Sequence, residues 1–338
     1  MNKNPKQKIH IVVAYGISAV LMLLLLRSIS FDQVMDALTK ISVLDYSFVL
    51  ALQISILIIS VFKWRLFLPR VSFVSLLRWF IMAQFFHMAT PGQLGGEFVK
   101  IIGLRKDGQR SSYIAACAFI DKMTTLAALM LFTSLGALIS PNSGSIPLVL
   151  RICAAGMFFG IFTGYLLLVK LKWPGIKKAV CADRKFLGKV VKFCSDLSSD
   201  IRNSGRKFVL VGVSMGLSVL SCFLLAGKVA VIGNSGMLSV LFVDWCWIVG
   251  MLTVIMLFPF SVGGLGVREG GYVVALSFLS VSAEKALALS MVLFTVQLIC
   301  ASVGFLFFMY ETHQNKKRNK NAASYSGVTE RAEKCLRR

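Results

Sequence analysis

An all-α polytopic membrane protein, with about six transmembrane helices plus two re-entrant broken-helix hairpins arranged as an inverted repeat, is expected on three grounds. The 338 residues are 57% hydrophobic and only 15% charged, too apolar for an ordinary water-soluble globule. Uncharged runs long enough to cross a bilayer recur along the chain, with basic residues gathered in the gaps between them. Two of the apolar stretches are interrupted by the same P-x-x-x-G-G pattern, at Pro91 and again at Pro259, 168 residues later.

The elements follow from hydropathy and from where charge falls. Lys3, Lys6 and Lys8 precede the run Ile9–Leu26, which is expected to be a retained anchor because no small-x-small cleavage site follows it. Further runs occupy Tyr46–Phe62, Phe73–Thr90, Met123–Ile139, Pro147–Val169, Phe208–Gly227, Met237–Phe258, Gly270–Ala283 and Ala286–Tyr310. The loop 27–45 is weakly acidic and is placed outside, whereas Lys63, Arg65 and Arg70, then Lys100, Arg105, Lys106 and Arg110, mark cytoplasmic ends. The segment between those two basic groups therefore enters and leaves on one side, broken at Pro91 and Gly92. A bilayer tolerates such a break only where the backbone is covered by protein or lines a wet cavity.

Residues 170–207 carry eleven Lys or Arg against three Asp and read as a cytoplasmic, basic, amphipathic segment at the interface. By the same parity Met237–Ala283 forms a second hairpin, broken at Pro259. Two full crossings in each hairpin would keep the same parity. Residues 1–311 are thus expected to form one membrane domain with repeat halves at about 46–140 and 208–310. A basic tail, 312–338, is expected to be disordered. Both termini are placed in the cytoplasm, with the protein in the cell (inner) membrane.

Net charge excludes less than it first suggests. Against 15 Asp and Glu stand 37 Lys and Arg, a formal charge of +22. A nucleic-acid binder carries such charge on a folded polar surface, but here it lies between apolar runs, so no nucleic-acid partner is expected. The eight cysteines contain no C-x-x-C pair, and His10, His87 and His313 lie in separate segments. No disulfide framework, metal site or cofactor is read from them.

Chemistry concentrates at the two breaks. The first reads Pro91-Gly-Gln-Leu-Gly95-Gly96-Glu97-Phe-Val-Lys100; the second reads Pro259-Phe-Ser261-Val-Gly263-Gly264-Leu-Gly-Val-Arg268-Glu269. Proline stops a helix by removing a backbone donor, and paired glycines allow close backbone approach beside free N–H groups at the next half-helix, a setting that attracts anions. Glu97, Lys100, Arg268 and Glu269 follow these breaks inside long apolar stretches. An ionised group near the bilayer centre costs roughly 2.5–3.5 kcal/mol, so such groups turn to one another or to a cavity. They are assigned to a central polar site, to which Asp121 and Lys122 are added. The plainer alternative is that each pair only neutralises itself, or that Lys100 lies at the interface beside Arg105. Asp244, between Phe242 and the tryptophans Trp245 and Trp247, reads either as a buried proton or cation group or as an interfacial carboxylate, and His87 reads as a helix-packing residue.

With those residues in view, the sequence resembles the flippase-like transmembrane domain shared with lysylphosphatidylglycerol synthases. The resemblance is carried by P-G-x-x-G-G-E-x-x-K at 91–100, by Asp121-Lys122, and by P-x-S-x-G-G-L-G-V-R-E-G at 259–270 followed by Ala286-Leu-Ala-Leu289. It implies a lipid-handling membrane domain whose functional positions are those of the motifs, Ser261 included. Because only 27 residues, basic and polar, follow Glu311, aminoacyl transfer is expected to be absent and the protein is expected not to be an enzyme. The resulting expectation is a transporter that moves an anionic phospholipid or a polyprenyl-phosphate-linked lipid between leaflets. Its partners would be membrane lipids with anionic headgroups and, in a competing reading, a cytosolic or membrane synthase. A membrane glycosyl- or phosphoglycosyl-transferase is the other alternative, against which stands the lack of D-x-D, H-E-x-x-H and phosphate-loop motifs.

Overall fold

The computed structural model describes residues 41–90, 94–106, 108–142, 208–235, 238–257 and 263–336, with scattered positions between 144 and 203. The expected anchor Ile9–Leu26, about half of the 147–169 run, most of the basic segment 170–207, and Pro91, Pro259 and Ser261 lie outside the described residues. Every element with described bounds is helical: α1 (Val43–Phe67), α2 (Phe73–Ala89), α3 (Leu94–Lys106) and α4 (Ser111–Ile139), then α5 (Phe208–Asn234), α6 (Phe242–Leu257), α7 (Val267–Ser277) and α8 (Ala283–Leu336).

Each half thus runs long, short, short, long. α1, α4, α5 and the stretch Ala283–Gln314 of α8 are long and apolar enough to cross a membrane. The short helices have 17 and 13 residues in the first half and 16 and 11 in the second. At 1.5 Å per residue each is about 25 Å long or less, short of a hydrocarbon layer of about 30 Å. The limbs form hairpins because glycines let them close: a Cβ on Gly96 or on Gly103, two turns apart on one face of α3, would run into the rings of His87 and Trp79 on α2.

Serines start two of the helices. Ser42 accepts the Asp45 N–H at the head of α1, and Ser72 accepts the Ser75 N–H at the head of α2. Before α7 the backbone of Gly263, Gly264 and Gly266 takes positive φ, +63°, +79° and +80°, which only glycine adopts without strain. Here Glu269, third residue of α7, accepts the Gly266 N–H at 2.6 Å and closes the turn.

Packing obeys the repeat. α2 lies along α8, its counterpart α6 lies along α4, and α1 packs on α5. One glycine makes each crossing close: a Cβ on Gly136 of α4 would meet the Trp247 backbone nitrogen of α6, and one on Gly304 of α8 would meet the Ile81 carbonyl of α2. These two positions are again 168 residues apart. The equivalent helices α1 and α5 are antiparallel, since Val49 clusters with Val229 and Ile232 while Val61 and Trp64 cluster with Leu210 and Val211. Repeats related by an axis along the membrane normal would keep equivalent helices pointing the same way, so the repeat is inverted. The hairpins consequently approach from opposite ends, and their tips meet: a Cβ on Gly263 would lie 3.0 Å from the Met88 carbonyl oxygen, one residue before the end of α2.

α4 is the enclosed helix, while α1, α5 and α8 turn side chains such as Ile54, Phe62, Val209, Phe223 and Leu306 outward, as a lipid-facing wall does. One expectation is revised. α8 does not end near Glu311 but continues to Leu336 through the tail expected to be disordered. A helix already nucleated in the apolar stretch needs only propagation, and no proline interrupts the tail.

Candidate functional site

Five charged side chains from three helices, α1, α3 and α4, meet beside the first break. Glu97 stands in the first turn of α3, where the Gly95 N–H donates to Thr90 Oγ1 at 3.0 Å and shapes the entry. Its carboxylate pairs with Lys100 one turn along (2.7 Å) and with Lys122 of α4 (2.9 Å). Asp121, adjacent on α4, pairs with Lys63 of α1 at 2.7 Å, and Lys63 also donates to Thr125 at 2.8 Å. Lys100 is buried and sits over two aromatic faces, 4.6 Å from the Trp64 ring centre and 4.4 Å from that of Phe80.

These groups line a cavity of about 200 Å³ together with Gln53, Gln84 and His87. At about 30 Å³ per water it has room for some six waters, or for one phosphate-sized group. Three lysines face two carboxylates there, a surplus of one positive charge before His87 is considered. Surrounded by apolar helices, an unbalanced cation is costly and recruits an anion.

The cavity has an apolar neighbour. Gln53, Leu57 and Gln84 also line a groove of about 330 Å³ between α1, α2 and α8, whose outer edges are Ile54, Ile58, Ile299 and Val303.

Around the second break the arrangement differs from the expectation of a headgroup held between both breaks. Arg268 and Glu269 are buried, but neither lines the cavity. Arg268 pairs with the neighbouring Glu269 carboxylate, donates to Ser290 and Gln297 of α8, both at 3.1 Å, and stacks on Phe294 with its guanidinium 4.8 Å from the ring centre. Glu269 is further committed to the Gly266 cap. The pair fastens α7 to α8 and leaves Lys100, its counterpart 168 residues earlier, to face the cavity alone. Gly263 and Gly264 likewise serve the turn and the meeting of the two tips, and Gly96 closes the first hairpin on His87.

Asp244 is fully buried and accepts from Ser140, from Asn142 at 3.0 Å and from the Trp247 indole at 3.3 Å. It ties the end of α4 to the start of α6. Arg78 pairs with Glu311 at 3.2 Å and does the same for α2 and α8.

Lys63, Gln53 and Lys228 escaped the reading of the sequence. Lys63 was counted with Arg65 and Arg70 as a cytoplasmic flank. A signal was present, since Gln53, Ser60 and Lys63 fall at i, i+7 and i+10 on one face of an otherwise apolar helix, and all three line the cavity.

Against known proteins, residues 11–304 match the model of the family described as Lysylphosphatidylglycerol synthase TM region. Curated proteins and solved structures return no match.

Proposed function

We infer, from a chain that belongs to the family of the lysylphosphatidylglycerol synthase transmembrane region, that it moves a lipid with an anionic phosphate headgroup between leaflets. The observation that carries this reading is a cavity with one surplus positive charge that shares Gln53, Leu57 and Gln84 with an apolar groove facing the lipid. An amphiphile fits both parts at once. Its phosphate would sit among Lys63, Lys100 and Lys122, and its chain would lie along α1, α2 and α8. Inverted halves whose hairpin tips touch at Met88 and Gly263 supply the element that could rock about that seat.

The reading assigns no bond-making step, because Glu97 and Asp121 are both engaged by lysines. It places the end carrying Arg65, Arg105 and Arg110 in the cytoplasm of the inner membrane, where basic residues accumulate. A membrane synthase acting on the same lipid is the natural protein partner of such a carrier.

Lys122→Gln is the discriminating variant. It removes the surplus charge yet leaves Glu97 with Lys100 and Asp121 with Lys63. In detergent, short-chain phosphatidylglycerol should bind the native protein in preference to phosphatidylcholine, and the variant should bind it about tenfold more weakly, a loss of about 1.4 kcal/mol. Equal affinity of the native protein for both lipids would overturn the reading.

A further inference from the structure

The inverted repeat places a second lone cation where the first half has Lys63. Lys63 is the twenty-first residue of α1 and Lys228 the twenty-first of α5, the two equivalent long helices. By the 168-residue offset of the breaks Lys228 falls on Ser60, one helical turn from Lys63 and itself part of the cavity wall. Because α1 and α5 are antiparallel, the two lysines leave their helices toward opposite ends of the bundle, and the Lys228 side chain reaches back to Gln53 near the middle of α1. Lys63 is four residues from the end of α1 and Lys228 six from the end of α5, about 6 and 9 Å along their axes.

Their surroundings differ in one respect. Lys63 has Asp121 at 2.7 Å, whereas no described carboxylate lies within 4 Å of Lys228. The position equivalent to Asp121 is Leu289, so the second half never acquires that counter-charge. Lys228 instead donates to Gln53 Oε1 at 2.7 Å, which occupies one of the three ammonium hydrogens. Arg268, a second cation in this half, is paired with Glu269, so no described carboxylate balances Lys228.

Gln53 is the link between the two. It belongs to the wall of the polar cavity, to the apolar groove and to Lys228. Ten residues separate it from Lys63, about 15 Å along α1, too far for one phosphate to touch both lysines.

We propose that Lys228 is a second phosphate station, toward the leaflet opposite the Lys63–Lys100–Lys122 cavity, and that a lipid phosphate passes between the two stations across the Gln53 side chain while its chain stays in the groove of α1, α2 and α8. This rests on the lipid-carrying reading above. Gln53 acts as a positioning residue: it holds the Lys228 ammonium at the cavity edge when the station is empty and yields that hydrogen to phosphate when it is filled.

The test is native mass spectrometry of the detergent-purified full chain with dihexanoyl phosphatidylglycerol, using dihexanoyl phosphatidylcholine to subtract nonspecific adducts. The native protein should hold two specific phosphatidylglycerols, Lys122→Gln one and Lys228→Met one, with the second dissociation constant weakened about tenfold or more in each case. The doubly substituted protein should hold none, and Lys228→Arg should restore two. Lys228→Met replaces a charge by an apolar side chain of similar length within a membrane helix, so a folded variant is expected. A Lys228→Met protein with the native stoichiometry would overturn the second station and leave the first intact. A native protein that binds no phosphatidylglycerol would overturn the lipid reading itself, and the station with it.

Discussion

Lys100 and Arg268 stand at equivalent places in the two halves, yet they have different work because of what surrounds them. Lys100 shares Glu97 with Lys122 and reaches a cavity, whereas Arg268 spends its hydrogens on Glu269, Ser290 and Gln297. A charge inside a long apolar run announces that it is buried and partnered, and this much was legible in the sequence. Which partner it finds was not, because adjacent side chains such as Arg268 and Glu269 point together only when the turn before them, held by Gly266, is folded. The consequence is measurable. Arg268→Ala leaves Glu269 buried without its cation, which costs about 3–5 kcal/mol in comparable cases. Thermal unfolding in detergent should show a marked loss of stability for Arg268→Ala, while the folded fraction keeps its affinity for phosphatidylglycerol. A variant of native stability that has lost the lipid would return Arg268 to the binding site. Lys122→Gln should behave in the reverse way, with native unfolding and weakened lipid binding, since both carboxylates keep a lysine.

Helices in this protein are brought together by glycine at defined crossings rather than by glycine in general. Gly136 and Gly304 each admit a partner helix backbone, whereas a Cβ on Gly227 of α5 would meet open space. Gly304→Leu should therefore force α2 from α8 and destabilise by about 1–3 kcal/mol or more, and Gly136→Leu should do the same to α4 and α6. Gly227→Leu should be tolerated. Monodispersity and melting temperature of the three purified variants check this, and a destabilised Gly227→Leu alongside native-like Gly304→Leu would contradict the packing described. The two prolines and paired glycines revealed the breaks in advance, because their backbone chemistry is local. The Gly136 and Gly304 crossings were not legible in the sequence, since nothing local separates a crossing glycine from a tolerated one. Continuation of α8 to Leu336 was missed for a related reason: composition reports how polar a tail is, not whether a helix already formed upstream will propagate into it.

The arrangement of the halves follows from antiparallel packing of α1 on α5 and from tips that meet at Met88 and Gly263. Hairpins entering from opposite ends put the α3–α4 connection at Arg110 and the α7–α8 connection at Ser282 on opposite faces of the membrane. Single cysteines at those two exposed positions, in a background without the eight native cysteines, should react with an impermeant maleimide from opposite sides of sealed vesicles. Labelling of both from one side would refute the inversion. Charge counting had already indicated this parity, but it could not weigh half-length limbs against full crossings, which the 11- to 17-residue lengths of the short helices address. What such an architecture offers is a polar seat beside a lipid-facing groove, with one unbalanced positive charge inside it. The most direct measurement is leaflet exchange in proteoliposomes, following fluorescent phosphatidylglycerol against fluorescent phosphatidylcholine for the native protein and for Lys122→Gln. Faster exchange of phosphatidylglycerol, lost in the variant, is the predicted result. Native protein that leaves both lipids at the rate of empty liposomes, or a Lys122→Gln protein that moves phosphatidylglycerol as fast as the native one, would contradict it.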